Sequence, residues 1–139
     1  GVPQGCVLGP LLFLLYINDM VDVIHHSVEI RLFVDGCVLF KEIHSTNDFN
    51  DLSTSLCNIY EWCNKWGMCL NVNKCMCFPV TRKGNPQLYI YILGYSPLQQ
   101  VNSYKYLGVT LTSKLSWNLH IDNVCSSTFC KLCLLKHKL

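Results

Sequence analysis

The chain is poor in charge. Of its 139 residues only 14% are Asp, Glu, Lys or Arg, against 50% that are apolar. That balance excludes intrinsic disorder, because such a chain has enough apolar surface to offset the entropy of ordering. Long hydrophobic runs are also lacking. The longest, residues 11–17, stops at Asn18-Asp19, whereas a spanning helix needs about 20 apolar residues. Neither a membrane span nor a secretory signal is expected, and the run reads as a buried helix. Internal repeats and low-complexity tracts are absent. The sequence opens on Gly1 rather than Met, and the expectation is a piece of a longer reading frame.

Acidic residues are nearly missing from the second part. Residues 65–139 hold nine Lys or Arg and one acid, Asp122, whereas residues 1–64 hold Arg31 and Lys41 against eight acids. An acidic front and a basic back point to an anion-binding rear half. Ten cysteines are present. With no sign of secretion they read as reduced thiols, mostly buried as small apolar side chains. Cys130-x-x-Cys133, with Cys125 and His137, falls on one predicted helix. A single helix cannot wrap four ligands tetrahedrally around zinc, so no metal site is expected there.

The most informative stretch is 29–41, E-I-R-L-F-V-D-G-C-V-L-F-K. Two β-prone runs, 30–34 and 37–40, flank Asp35-Gly36. Asp-Gly in that setting predicts a two-residue type I′ hairpin turn, with positive φ at both residues. It lifts one carboxylate, Asp35, to the tip of an apolar ribbon.

Before the hairpin, 1–10 reads G-V-P-Q-G-C-V-L-G-P, a glycine- and proline-rich loop. Pro10 suits the first turn of a helix running from 11 to about 24. His25-His26-Ser27 marks its end, and adjacent histidines do not share a helix face. After the hairpin, Ser45 with Asp48 three residues on suggests a capping box. Phe49, Leu52, Leu56, Ile59, Cys63 and Trp66 then recur at spacings of three and four, predicting a helix over 46–66 that Gly67 terminates. Residues 75–81, 88–93, 98–101 and 104–111 read as short strands, with turns at 82–87 and 94–97. A last helix, basic at its end, is expected from about Asn118 onward.

The order of these motifs is similar to that of a known family. G-V-P-Q-G-C-V-L-G-P-L-L-F-L-L-Y-I-N-D-M at 1–20 closely resembles the G-V-P-Q-G-S-V-L-G-P-L-L-F segment of reverse transcriptases from non-LTR (LINE-type) retrotransposons. R-L-F-V-D-G-C-V-L-F at 31–40 resembles their F-A-D-D hairpin. Residues 66–74 resemble W-x-x-x-L-N-x-x-K. Tyr104–Gly108, with Trp117 and His120-Ile121, resembles their Y-L-G-V and W-x-x-H-I segments.

The resemblance implies an α+β fold: a partial polymerase palm of helix, β-hairpin, helix and small antiparallel sheet, then a thumb-like helix. Residues 1–112 would be the C-terminal part of the palm and 113–139 the start of the thumb. It also implies roles. Pro3, Gln4 and Gly5 would lie against the incoming nucleotide and template base, and Lys74 near the triphosphate. Asp35 would be a catalytic ligand of Mg²⁺, an ion that prefers hard oxygen ligands. Tyr106, Leu107 and Gly108 would form the primer grip, while Lys131, Lys136 and Lys138 would follow the nucleic-acid backbone. The implied partners are an RNA template, a DNA primer, deoxynucleoside triphosphates and an upstream fingers and palm segment, with no membrane. The implied location is intracellular, nuclear or cytoplasmic.

Two departures stand out. The family's further aspartate belongs to a strand preceding the G-V-P-Q-G loop, and the family's paired D-D reads Asp35-Gly36 here. Glycine offers no ligand atom. Cys6 and Val34 replace the usual Ser and Ala. The expectation is a fragment of an RNA-directed DNA polymerase that does not polymerise by itself. The alternative is a non-catalytic RNA- or DNA-binding remnant of a decayed or captured retroelement. Apolar surface on helix 11–16 and on the hairpin is expected to stay exposed in the isolated chain.

Overall fold

The structure, a computed structural model, describes residues 5, 7–33, 36–84 and 89–136. Two compact units emerge. The first comprises Gly1–Val72 and Tyr89–Leu98, the second Asn73–Leu88 and Gln99–Leu139. The mixture of helices, small sheets and a final long helix is the α+β architecture anticipated from the sequence.

The first unit opens with helix α1, Gly9–Asn18, which carries Pro10 in its first turn and tightens into a 3-10 turn at Asp19–Val23. Strands β1, Glu29–Phe33, and β2, Gly36–Phe40, form an antiparallel hairpin. Helix α2, Thr46–Lys65, follows. Strands β4, Ile92–Leu93, and β5, Ser96–Pro97, close the unit as a second, very short antiparallel pair. The second unit holds β3, Met76–Cys77, which pairs in parallel with β6, Gln99–Gln100. Its other ladder is the antiparallel hairpin of β7, Ser103–Tyr106, and β8, Val109–Thr112. It ends in helix α3, Asn118–Lys136.

Helix α2 organises the first unit. The sequence contains no alanine, and four Asn fall within α2 itself, so intrinsic propensity contributes little. Its start is fixed instead by a complete capping box. Ser45 accepts from the Asp48 amide, and the Asp48 side chain accepts from the Ser45 amide at 2.8 Å. Its end is fixed by Gly67 at φ +67, a left-handed conformation that glycine adopts at little cost.

Ser55, Ile59, Trp62 and Cys63 are the buried residues of α2. Ile59, Trp62 and Cys63 join Met20 in the core cluster, with Val23, Ile24, Ile30, Leu32, Leu39, Met68 and Leu70 packed around it. Ser55 is fully enclosed yet satisfied, donating to Asp51 O at 2.9 Å and accepting from the His25 amide at 3.2 Å. The expected stripe is therefore rotated at its end. Trp66 is 45% exposed and meets Tyr16 edge-on, with ring centroids 6.0 Å apart. The Tyr16 hydroxyl donates to the Trp66 carbonyl.

Several expectations need correction. The hairpin register places Gly36 opposite Phe33, inside the ladder, and Gly36 does not have positive φ. The connection falls on residues 34 and 35, not on Asp35-Gly36, and both lie outside the described residues. In α1 only Gly9 and Ile17 are buried; Leu11, Leu12, Leu14 and Leu15 are exposed, because no described element of the first unit covers that side. The apolar surface expected to be exposed on this helix is thus exposed. The 75–81 strand shrinks to two residues. The stretch 104–111 is a hairpin rather than one strand, turning at Leu107 (φ 47) and Gly108 (φ 87), the sign pattern of a type I′ turn. Of the cysteines, Cys63 is buried, but Cys57, Cys69, Cys125, Cys130 and Cys133 are exposed.

Candidate functional site

The β1–β2 hairpin is anchored at its base by a polar cluster. Lys41 directly follows β2, and its side chain is only 8% exposed. Its ammonium donates to Asp51 Oδ2 at 2.5 Å and to Ser27 Oγ at 2.5 Å, and lies 3.2 Å from Asp48 Oδ1. Ser27 in turn donates to Asp51 at 2.9 Å. The hydrogen bond to Asp51 and the charges of Asp51 and Asp48 hold the Lys41 ammonium above its ordinary value. Hydrogen bonds from the Ser45 hydroxyl and the His44 amide hold Asp48 well below the usual carboxylate range. The Lys41 ammonium, then the Ser27 hydroxyl, lower Asp51. A nearly enclosed cation satisfied by two carboxylates and a hydroxyl is geometrically demanding. It ties the end of the ribbon to the first two turns of α2.

The expected site residues divide between the units. Asp35, with Pro3 and Gln4, lies outside the described residues, as does Lys138. Gly5 is exposed at φ +84, and among the described residues, its chain neighbours aside, no heavy atom lies within 4 Å of where a side chain would begin. In the second unit Lys74 ends a 3-10 turn, Val72–Lys74, and is exposed. Tyr106, Leu107 and Gly108 form the tip of the β7–β8 hairpin, with Tyr106 half-buried and Leu107 57% exposed. Lys131 and Lys136 stand exposed on α3. Five residues apart on an α-helix, they point roughly 140° away from each other and do not share a face.

Comparison with known proteins identifies the arrangement. The family described as reverse transcriptase (RNA-dependent DNA polymerase) matches residues 1–111. The chain belongs to the reverse transcriptase family. Among curated relatives it is similar to the probable RNA-directed DNA polymerase from transposon X-element of Drosophila melanogaster, 32% identical over 130 residues. It is also similar to the RNA-directed DNA polymerase from mobile element jockey of the same species, 30% identical over 131 residues. Each comparison covers 89% of this chain but 14% of the relative. A Pol polyprotein from type-1 retrotransposable element R1 2 of Nasonia vitripennis is 25% identical, covering 87% of this chain and 31% of the relative. No solved structure matches. The chain is thus a reverse transcriptase domain segment of the non-LTR, LINE-type kind, spanning about one seventh of the length of the first two relatives.

Reverse transcriptases use divalent metal ions. Among the described residues no group of three or more His, Cys, Asp or Glu could hold one. Gly36, where the family carries the second hairpin aspartate, adds no ligand. The described residues therefore do not fit a resident metal by themselves. Among these residues, likewise, no helix is long and apolar enough to cross a membrane.

Two features escaped the sequence reading. The Lys41 cluster joins residues 7 and 10 positions apart across a loop, so no local motif flags it. The available signal was that Lys41 is one of only two cations in residues 1–64. The second is a 250 Å³ cavity lined by Thr110, Leu111, Thr112, Leu115, Ser116 and Trp117, where the W-x-x-H-I resemblance marked Trp117 and His120 without assigning either a role.

Proposed function

We propose that this chain is the rear part of a reverse transcriptase palm, residues 1–112, followed by the start of its thumb, residues 113–139. In the intact polymerase it would act on an RNA template, a DNA primer and deoxynucleoside triphosphates. Asp35 would supply one hard oxygen ligand for Mg²⁺, with the remaining ligands coming from outside these residues. Pro3, Gln4 and Gly5 would face the incoming nucleotide and template base, and the openness beside Gly5 suits close approach. Lys74 would neutralise the triphosphate and give a proton to the leaving pyrophosphate. The exposed turn of Tyr106, Leu107 and Gly108 would hold the primer, and Lys131, Lys136 and Lys138 would meet phosphates.

The observation that carries this reading is the family match over residues 1–111. Gly36 favours the second reading, a nucleic-acid-binding segment without chemistry. Catalysis of nucleotidyl transfer rests on positioning and charge stabilisation, and the second carboxylate of the hairpin is missing.

Two assays on the full chain test these readings. Primer extension on an RNA template with Mg²⁺ is expected to give no product; extension would refute the inactive assignment. Binding to an RNA–DNA duplex is expected to weaken linearly in log salt. Lys131→Gln and Lys136→Gln should each flatten that slope by up to about 0.9. Salt-independent binding, or none, would refute the nucleic-acid role.

A further inference from the structure

We propose that Trp117 is a stacking platform for one unpaired nucleobase, seated at the cavity between the β7–β8 hairpin and the start of α3. This deepens the nucleic-acid reading and rests on it.

Four observations converge. The indole is 60% exposed although it lines a 250 Å³ cavity. That volume is below the ~300 Å³ floor of pockets for drug-sized ligands and suits a single flat ring. Leu111, Leu115 and Trp117 supply its apolar lining, and Thr110, Thr112 and Ser116 bring polar edges.

The loop that carries Trp117 is held rigidly. Leu115 sits at φ +55, a left-handed conformation unusual for leucine and costly to maintain. Its amide donates to the Thr112 carbonyl at 2.7 Å. The Ser116 amide donates to Thr112 Oγ1 at 2.8 Å, and that hydroxyl donates to the Ser116 carbonyl at 3.2 Å. His120 stands edge-on to the indole, with ring centroids 6.1 Å apart, and its Nδ1 accepts from the Thr110 amide at 3.3 Å. An exposed aromatic on a fixed loop loses little entropy when a ring stacks on it.

Charge selects the partner. Residues 73–88 and 99–139 contain eight Lys or Arg and one acid. Lys105 is the cross-strand neighbour of Thr110, and Lys114 belongs to the Trp117 loop. An aromatic face within a cationic surface is how single-stranded nucleic acid is gripped without sequence preference. A neutral apolar peptide would gain nothing from those cations.

The test compares binding of the full chain to short oligothymidylate and to an abasic strand of the same length, at matched salt across a series of salt concentrations. The wild-type chain should prefer the base-bearing strand by about tenfold. Trp117→Leu should bind both strands as the wild type binds the abasic one, with an unchanged salt slope. Trp117→Phe should keep most of the preference, and circular dichroism should report unchanged helix content in both variants. An oligouridylate arm assigns the stacked strand to RNA or DNA. If the wild type shows no preference for bases, or if Trp117→Leu retains it, the stacking proposal is overturned while phosphate binding stands. If the wild type binds neither strand at low salt, the nucleic-acid reading itself falls, and the platform with it.

Discussion

The two units differ in what holds them and in what they carry. Every buried residue among those described lies in the first unit: Ile17, Met20, Val28, Ser55, Ile59, Trp62, Cys63, Tyr91 and Leu93, with Gly9. The second unit has none. The first unit holds eight acids against Arg31, Lys41 and Lys65, while the second holds one acid against eight cations. Core and carboxylates thus go together, as do exposed backbone ladders and cations. The first unit has the contacts to fold around α2. The second has a hydrogen-bonded ladder and a long exposed helix, and none of its described residues is buried.

The sharpest way to break this contrast is a pair of aromatic truncations. Trp62→Ala empties the centre of the core cluster and should cost about 3–5 kcal/mol in urea unfolding. Phe129→Ala, on exposed α3, should stay within about 0.5 kcal/mol. Equal losses would mean that the second unit has a core of its own.

A smaller effect is expected at Gly94. It holds φ +63, and a Cβ there would come within 2.5 Å of Tyr60 Cε2. Gly94→Ala should destabilise the first unit by about 2–4 kcal/mol, combining left-handed strain with overpacking. Tyr60→Leu in the same background should return part of the loss. No return would place the cost in the backbone alone.

The smallest effect separates the units by pH. Asp48 and Asp51 titrate below the ordinary carboxylate range in the folded chain. Their contribution to stability is complete above about pH 4 and is lost as pH falls through their folded values. Lys41 is raised, so its contribution is complete below about pH 10.4 and is lost above it. Lys41→Met should shrink the acid-side loss by raising Asp51, while Asp48, held first by Ser45, changes less. An unchanged acid limb in urea midpoints between neutral and low pH would remove the cluster from the account.

What was legible in the sequence was local. The Ser45–Asp48 cap, the Gly67 stop and the start of α3 at Asn118 are each written within a few residues and were read correctly. The hairpin was legible as a hairpin, but its register was not. The Asp-Gly rule placed the turn one residue too late, because pairing of Phe33 with Gly36 is decided along the whole ladder. The β7–β8 turn was missed because Leu107 is a poor candidate for positive φ, and only Gly108 hinted at it. The exposed apolar surface of α1 was legible, since apolar residues all round a helix declare that it needs partners, but which partners was not. The Lys41 cluster is a tertiary fact with no fixed spacing, and the Trp117 cavity, though lined by residues within 110–117, depends on a left-handed Leu115 that its residue type does not announce.

Gly36 has a consequence in heredity. Its backbone avoids the left-handed region, so the fold asks nothing of this position that only glycine can give. An aspartate would need the Phe33 carbonyl, 3.2 Å from its Cβ, to yield by a few tenths of an ångström. Two of the four glycine codons differ from an aspartate codon at a single base. From either of those codons, one base change would place a carboxylate here at the cost of that small shift in the ribbon.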